Sequence, residues 1–405
     1  MKEGQMKEPS HHPALIDEVP LSGEADQWLQ KVAEIAPVIE EHRDESERRR
    51  HSVQPVFDAL RDAGIHRMLV SRDFGGSQVT LDTGSRVLQA LAAIDPSVAW
   101  QMGVQGAIGR LSDYLPEATA HKLFAESSGL VVGSVNPTGR AEAVPGGYRL
   151  SGTWAFASGS AHADWLVCAA VVTDGGKPRM TAAGPEIRHA FVPKSEVRMQ
   201  DTWHSLGLRG TGSHHYEIGE TFVAEDHTVE GAAMYLPPPE RPARGYAISY
   251  YDFGLFGSAS TVLGTAAGAL TAFKDLSRSK VAAASTKTLD AGHVVQERVA
   301  RAEILVRSAR LMLADAAWHA TEHGQKGGDP LSALVRLSAA TVAENTTAAV
   351  DILFKLAGTS SVYAGNLLER HFRDIHSAAK HITLSHTNIE MVGQYLLGGE
   401  LRMRR

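Results

Sequence analysis

The spacing of apolar residues changes character twice along the chain. From Glu24 to His51 the run WLQKVAEIAPVIEEHRDESERRRHS keeps apolar positions at helical intervals beside first acidic and then basic ones, and Val53 to Leu69 (VQPVFDALRDAGIHRML) repeats that spacing. Leu81 to Trp100 and Ala107 to Phe124 continue it, with Asp95-Pro96-Ser97 as a stop followed by a new helix start. Between Gly129 and Val223 apolar residues instead alternate, in GLVVGSVN, EAVPGGYRLSGTWAF, DWLVCAAVV, HAFVPKS and HHYEIGETFV, and Gly-rich turns separate them. This is the signature of short strands. Past Pro239 helical spacing returns in Phe253 to Phe273, Ala291 to Glu322, Pro330 to Leu356 and Leu367 to Gly398, enough for an antiparallel bundle. The pattern predicts an α+β chain in the order α, β, α. Its expected parts are a disordered polar leader over 1–23, an N-terminal helical domain over 24–127, a central β-domain over 128–237 and a C-terminal helical bundle over 238–405.

One of those helices could also suit a membrane, because FGLFGSASTVLGTAAGALTAF carries no charge and has the length of a span. Its Gly, Ala, Ser and Thr transfer poorly into lipid and suit close helix packing in a protein interior, so a core helix is expected. At 405 residues the chain exceeds one ordinary core and can bury a large site. A net charge of −6 leaves no basic surplus to hold nucleic acid or an anionic membrane. The single cysteine, Cys168, excludes an internal disulfide framework, fits a reducing compartment and reads as packing within an apolar strand. MKEGQMKEPSHHPALIDEVP lacks the apolar core of a signal peptide, so the cytoplasm is the expected location.

Three stretches could carry chemistry. In RHFRDIHSAAKHITLSHTNIE, His371, His376, His381 and His386 recur every five residues. Within one helix that interval turns each imidazole about 140° from the last, so the row cannot share a face or build a metal site, and no metal is expected. One imidazole facing a cavity, or four satisfied histidines, both remain open on spacing alone. In GSVNPTGRAEAVPGGYRLSGTWAFASGSAHADW, small and hydroxyl residues surround Trp154, Phe156 and Trp165, where a flat ligand could rest or a sandwich core could pack. In DTWHSLGLRGTGSHH, Arg209 and the Gly210-Thr211-Gly212-Ser213 run offer a cation and open backbone donors to an anion, without the glycine spacing of a P-loop or a dinucleotide fingerprint.

Taken in order, RDAGIHRMLVSRDFGGS, SVNPTGRAEAV with GGYRLSGTWAFASG and HADW, DTWHSLGLRGTGS and RHFRDIHSAAKH resemble the acyl-CoA dehydrogenase superfamily across about residues 24 to 400. Within it the chain is similar to the oxygenase components of two-component flavin-dependent monooxygenases, which hydroxylate phenols, polyketide aromatics and related compounds. The resemblance implies a helical domain, a β-domain and a four-helix bundle, assembled as a homotetramer with flavin between β-domain and bundle. It implies FMNH2 or FADH2 supplied by a separate NAD(P)H-dependent reductase, O2, and transfer of oxygen from a C4a-hydroperoxyflavin to a small aromatic or polycyclic substrate. It places His381 beside flavin and substrate as a base with a pKa suited to neutral pH, and Ser158 near flavin N5 and C4a. Trp154 and Phe156 would wall the isoalloxazine, Arg209, Thr211 and Ser213 would lie near the flavin or its phosphate, and Gln105 and His376 would meet the substrate.

Departures sharpen the expectation. After Arg373-Asp374 no carboxylate follows until Glu390, where true dehydrogenases often carry the glutamate that abstracts the substrate α-proton. The R-x-F-G stretch that helps grip tightly held FAD is also missing from SRSKVAAASTKTLDAGHVVQERV. Phenol hydroxylases of the group often carry a histidine in a GVH stretch where this chain has Gln105 in GVQGAIG, which moves the expected substrate from simple phenols toward polycyclic, heteroatom or amine compounds. The alternatives are N-hydroxylation of an amine or amino sugar by the same intermediate, an FAD-dependent acyl-CoA dehydrogenase, and a non-enzymatic ligand-binding descendant.

Overall fold

A computed structural model of the chain describes residues 22–182, 184–238, 246–281 and 286–401. The expected leader over 1–23 lies almost wholly outside the described residues. Helix α1 (Gly23–Arg49) starts where Ser22 caps the Ala25 N–H, and ends at Arg50 in the left-handed region. Helices α2 (Gln54–Asp62), α3 (Leu81–Ile94) and α4 (Pro96–Gly109) follow, and a four-residue α5 (Glu117–Ala120) closes the set. The stop and restart expected at Asp95-Pro96-Ser97 is where α3 ends and α4 begins. Asp95 ends one and caps the next, its carboxylate accepting the Ser97 and Val98 N–H groups, with Pro96 in the first turn. The expected helix from Ala107 to Phe124 breaks into a 3-10 turn over Arg110–Tyr114, α5 and a π-turn over His121–Ala125. Buried Arg110 pairs there with Asp113 and donates to the Tyr246 carbonyl.

The centre is a mixed sheet. Strands β1 (Leu130–Val144), β2 (Gly147–Ala157) and β3 (Ala163–Asp174) precede the two-residue strands β4 (Lys177–Pro178), β5 (Met180–Thr181) and β6 (Gly184–Pro185). Strands β7 (Ile187–Pro193), β8 (Arg198–Gln200), β9 (His214–Ala224) and β10 (Thr228–Glu230) complete it. The order is β10-β7-β3-β1-β2-β9-β8, antiparallel except for the parallel β1–β3 pair, with β4 on β3 and β5–β6 apart as a small ribbon. Cys168 lies fully buried in β3, and burial pushes its thiol pKa up, away from any nucleophilic role at neutral pH.

The uncharged stretch lies in α6 (Tyr250–Ser279), whose Val262, Leu263, Ala266 and Ala269 are fully buried in the main core. It is the core helix that its small residues suggest. Gly264 and Gly268 let α3 approach so closely that an added Cβ would stand 2.2 Å from the Gln89 carbonyl or 2.6 Å from that of Ala93. A 65-residue α7 (His293–Ala357) breaks at Gly328, φ 48°, into two helices. The expected helix from Leu367 to Gly398 is three pieces, α8 (Leu367–Ala378), a 3-10 turn over Ile382–Leu384 and α9 (Thr387–Leu396). The four histidines therefore do not share one helix, and the 140° argument applies only to His371 and His376.

Candidate active site

The hub of the site is the loop from Asp201 to Ser213. Its Gly207 lies against the last turns of α8, where an added Cβ would stand 2.2 Å from the Arg373 carbonyl, so only glycine admits the approach. Leu208, at φ 52°, gives its N–H to the Asp374 carboxylate at 2.6 Å. Asp374 is fully buried, and desolvation pushes its pKa up to about 7 although that N–H pulls the other way. Beside it Arg370 holds Asp44 at 2.5 Å and Glu47 at 2.9 Å, and Arg373 holds Glu47 at 2.9 Å and Glu369 at 2.5 Å. This ionic cluster ties α1, α8 and the loop together. Arg209 faces it too, 3.5 Å from Glu47.

The far end of the loop carries a chain of hydroxyls. Thr211 donates to the Leu208 carbonyl at 2.8 Å, Thr211 and Ser213 oxygens lie 2.6 Å apart, and Ser213 and Ser158 oxygens lie 2.6 Å apart. All three side chains are buried. The Gly159 N–H, donating to the Thr211 carbonyl at 2.8 Å, fastens the turn after β2 to the loop. Just before that turn the β2–β9 register slips between Trp154 and Ala157, and Phe156 adopts φ 70°. The bulge turns Phe156 outward, 62% exposed, with Trp203 and His215 edge-on to its ring. A flat apolar face beside a buried hydroxyl results.

His381 follows α8 and caps the next turn. Its Nδ1 lies 2.7 Å from Thr383 Oγ1 and accepts the Thr383 N–H at 3.4 Å, so in the neutral ring Nε2 carries the hydrogen. Trp100 of α4 meets the ring edge-on at 5.3 Å. Water reaches the imidazole, yet protein crowds around it, and desolvation pushes its pKa down to about 4. A base tuned to neutral pH is not what this environment makes. On the same helix as Trp100, Gln101 donates to Ser52 Oγ at 2.7 Å and to the Gly210 carbonyl at 3.2 Å, which draws α4 to the loop.

The model for "Acyl-CoA dehydrogenase, C-terminal domain" matches residues 256–386. Similarity along nearly the whole chain extends to a pigment production hydroxylase of a Rhodococcus species, 26% identical over 91% of this chain and 96% of that one. It extends also to the oxygenase component of an FADH(2)-dependent resorcinol hydroxylase of a Rhizobium species, 29% identical over 91% of this chain and 94% of that one. Over residues 256–386 the chain thus matches the acyl-CoA dehydrogenase C-terminal domain, and along nearly its whole length it is similar to flavin-dependent oxygenases. XiaF from a Streptomyces species, in complex with FADH2 and glycerol, shares the fold at a TM-score of 0.88, with 24% identity over 94% of this chain and 97% of that one. The oxygenase is thus an enzyme of reduced flavin and O2, the hydroxylating half of a two-component system whose flavin comes from a separate reductase.

The oxygenase's residues fit a reduced flavin: the exposed Phe156 face suits an isoalloxazine, and the hydroxyl chain ends at Ser158 beside it. The other expected site residues are engaged as follows. Trp154 is 1% exposed, stacked on Tyr216 and donating from Nε1 to the Ala169 carbonyl at 2.7 Å. It packs the sheet core and cannot wall a flavin, because the bulge separates it from the face that Phe156 takes. Thr211 and Ser213, expected near the flavin or its phosphate, stand directly behind Ser158 with their hydroxyls engaged within the buried row. Gln105 is buried with its oxygen accepting the Val131 N–H at 2.7 Å, which ties α4 to β1, while its Nε2 has no hydrogen-bond partner among the described residues. His376 is engaged by Asp351 at 2.9 Å on the bundle. The sequence pattern did not single out Trp100, Gln101 or Trp203. Only the recurrence of Trp and Gln around the Asp-Pro-Ser start and in DTWH hinted at them.

Proposed function

We propose that the oxygenase hydroxylates a small aromatic or polycyclic substrate that is electron-rich without first losing a proton, working as a homotetramer in the cytoplasm. The observation that carries this reading is the setting of His381, with Nδ1 occupied by Thr383, Nε2 protonated and its pKa pushed down to about 4. Such a ring is neutral above about pH 5 and donates a hydrogen bond through Nε2 instead of collecting a proton. Bound reduced flavin supplies the activation of O2. The chain's residues do the rest. Phe156 would offer the isoalloxazine an apolar face, Ser158 would meet its reacting edge, and Arg209 would supply a cation for its phosphate. His381 and Trp100 hold the substrate and shield the reacting atoms from water.

The relatives support an aromatic substrate, being a resorcinol hydroxylase, a p-hydroxyphenylacetate 3-hydroxylase from Acinetobacter baumannii and an indole-3-acetate monooxygenase from Pseudomonas putida. The test uses 18O2, photoreduced FMN or FAD, and paired panels of indoles, polycyclic heteroaromatics and simple phenols, read by mass spectrometry. The expected result is one 18O in the indole or polycyclic products, with no limb between pH 6 and 7 in the pH profile that His381→Gln removes. Labelling confined to phenols, with such a limb, would overturn the assignment.

A further inference from the structure

The buried hydroxyls at Ser158, Ser213 and Thr211 form a row with a direction. Four oxygens stand in line, Ser158 Oγ, Ser213 Oγ, Thr211 Oγ1 and the Leu208 carbonyl, at 2.6, 2.6 and 2.8 Å. The carbonyl has no hydrogen to give. At 2.8 Å two oxygens without a proton between them repel, so the Thr211 hydrogen must point at Leu208. Each hydroxyl has one hydrogen, so Ser213 must then donate to Thr211, and Ser158 must donate to Ser213. The reverse order loses the Leu208 bond and leaves that repulsion in a site where all three side chains are at most 3% exposed. The row also cannot be redirected easily from the loop side. The Leu208 carbonyl is held by the Trp203 Nε1–H at 3.0 Å and the Thr211 N–H at 3.1 Å, and Leu208 itself by Asp374.

We propose that Thr211 is a positioning residue that fixes Ser158 as a hydrogen-bond acceptor, so that the site selects reduced over oxidised flavin. The inference rests on the reading that Ser158 meets the flavin edge at N5. With its own hydrogen committed inward, Ser158 presents only lone pairs to a ligand. The N5 of reduced flavin carries a hydrogen and can donate to it, whereas the N5 of oxidised flavin is an acceptor and meets a second acceptor. A protein that must collect reduced flavin from solution and release the oxidised form gains from that discrimination, and a buried carbonyl at the end of a hydroxyl row supplies it. Thr211 touches neither flavin nor substrate in this scheme. It acts by where it sends one proton.

The experiment compares affinities for oxidised and for anaerobically photoreduced FMN and FAD in the full chain and in Thr211→Val, Thr211→Ser, Ser213→Ala and Ser158→Ala. Thr211→Val frees the Ser213 hydrogen and lets Ser158 turn its own outward. Its preference for reduced over oxidised flavin should fall about tenfold, the worth of one exchanged hydrogen bond. That change corresponds to a midpoint potential of bound flavin lower by about 30 mV. Thr211→Ser keeps the donor and should restore the parent ratio, and Ser213→Ala, which cuts the same row, should reproduce the Val result even if Thr211→Val folds poorly. A parent-like ratio in both Ser213→Ala and Thr211→Val, with Ser158→Ala weakening reduced-flavin binding, overturns the proton direction. Thr211→Ser behaving like Thr211→Val overturns it as well, since packing would then explain the loss. If Ser158→Ala leaves both affinities unchanged, Ser158 is not at the flavin, and the underlying reading fails instead.

Discussion

Phe156 carries a conformation that costs the fold. A bulky side chain at φ 70° is disfavoured by about 1–3 kcal/mol, and more than half of this ring is open to water, so its own packing repays little. Phe156→Gly should therefore raise stability by about 1 kcal/mol while weakening flavin binding, a pairing that denaturant titration and flavin titration can check together. Asp374 makes an opposite point about charge. Its carboxyl, raised from 3.8 to about 7, stays protonated in the folded chain while the unfolded chain has lost that proton, so this residue's contribution to stability falls as pH rises from about 4 to about 7. Asp374→Asn keeps an acceptor for the Leu208 N–H and removes the titration. The variant should match the parent near pH 4 and exceed it by on the order of 4 kcal/mol at about pH 8, read as the pH dependence of thermal unfolding. A melting gap that stays constant with pH would contradict the buried carboxyl. Neither residue's state was legible in the sequence. A period of two places Trp154 and Phe156 on one face, and only the bulge parts them.

Among elements, the 201–213 loop decides most, because it connects the ionic cluster of α1 and α8 to the hydroxyl row below β2. Gly207 is its tightest point. Gly207→Ala would force the loop off α8, breaking the Leu208–Asp374 bond, and should destabilise the chain by about 2 kcal/mol or more while releasing Trp203 from its place beside Phe156. Limited proteolysis at the loop, together with the unfolding midpoint, would register both effects; an unchanged midpoint would show that the approach is not obligatory. The motif DTWHSLGLRGTGS marked this loop as important, but an anion cradle was the expectation, and the fold spends its hydroxyls inward instead. The histidine row illustrates the same limit. Helical spacing continues in the sequence through Leu367 to Gly398, yet the chain leaves the helix after Ala378, and His381 becomes a cap whose tautomer the Thr383 N–H sets.

At the scale of the whole molecule, the first half of α7 carries Ile304, Leu311 and Trp318 at intervals of seven, exposed by 59%, 41% and 55%. Seven residues nearly complete two turns, so the three form one apolar stripe that no other part of the described chain covers well. The stripe supports the proposed homotetramer. Ile304→Glu with Trp318→Glu should reduce the assembly to smaller species in light scattering without lowering the stability of the single chain by more than about 0.5 kcal/mol, the usual range for surface changes. An unchanged mass would place the subunit contacts elsewhere. Sequence by itself determined the α, β, α order, the core placement of the uncharged helix and the resemblance to flavin-dependent oxygenases, because periodicity and motif spacing are local properties that survive in one dimension. Tertiary structure alone decided which hydroxyl is a donor, which imidazole is desolvated and which aromatic faces outward. Those states depend on burial and on partners distant in the chain, 55 residues away for Ser158 with Ser213 and 166 for Leu208 with Asp374, and no local pattern encodes them.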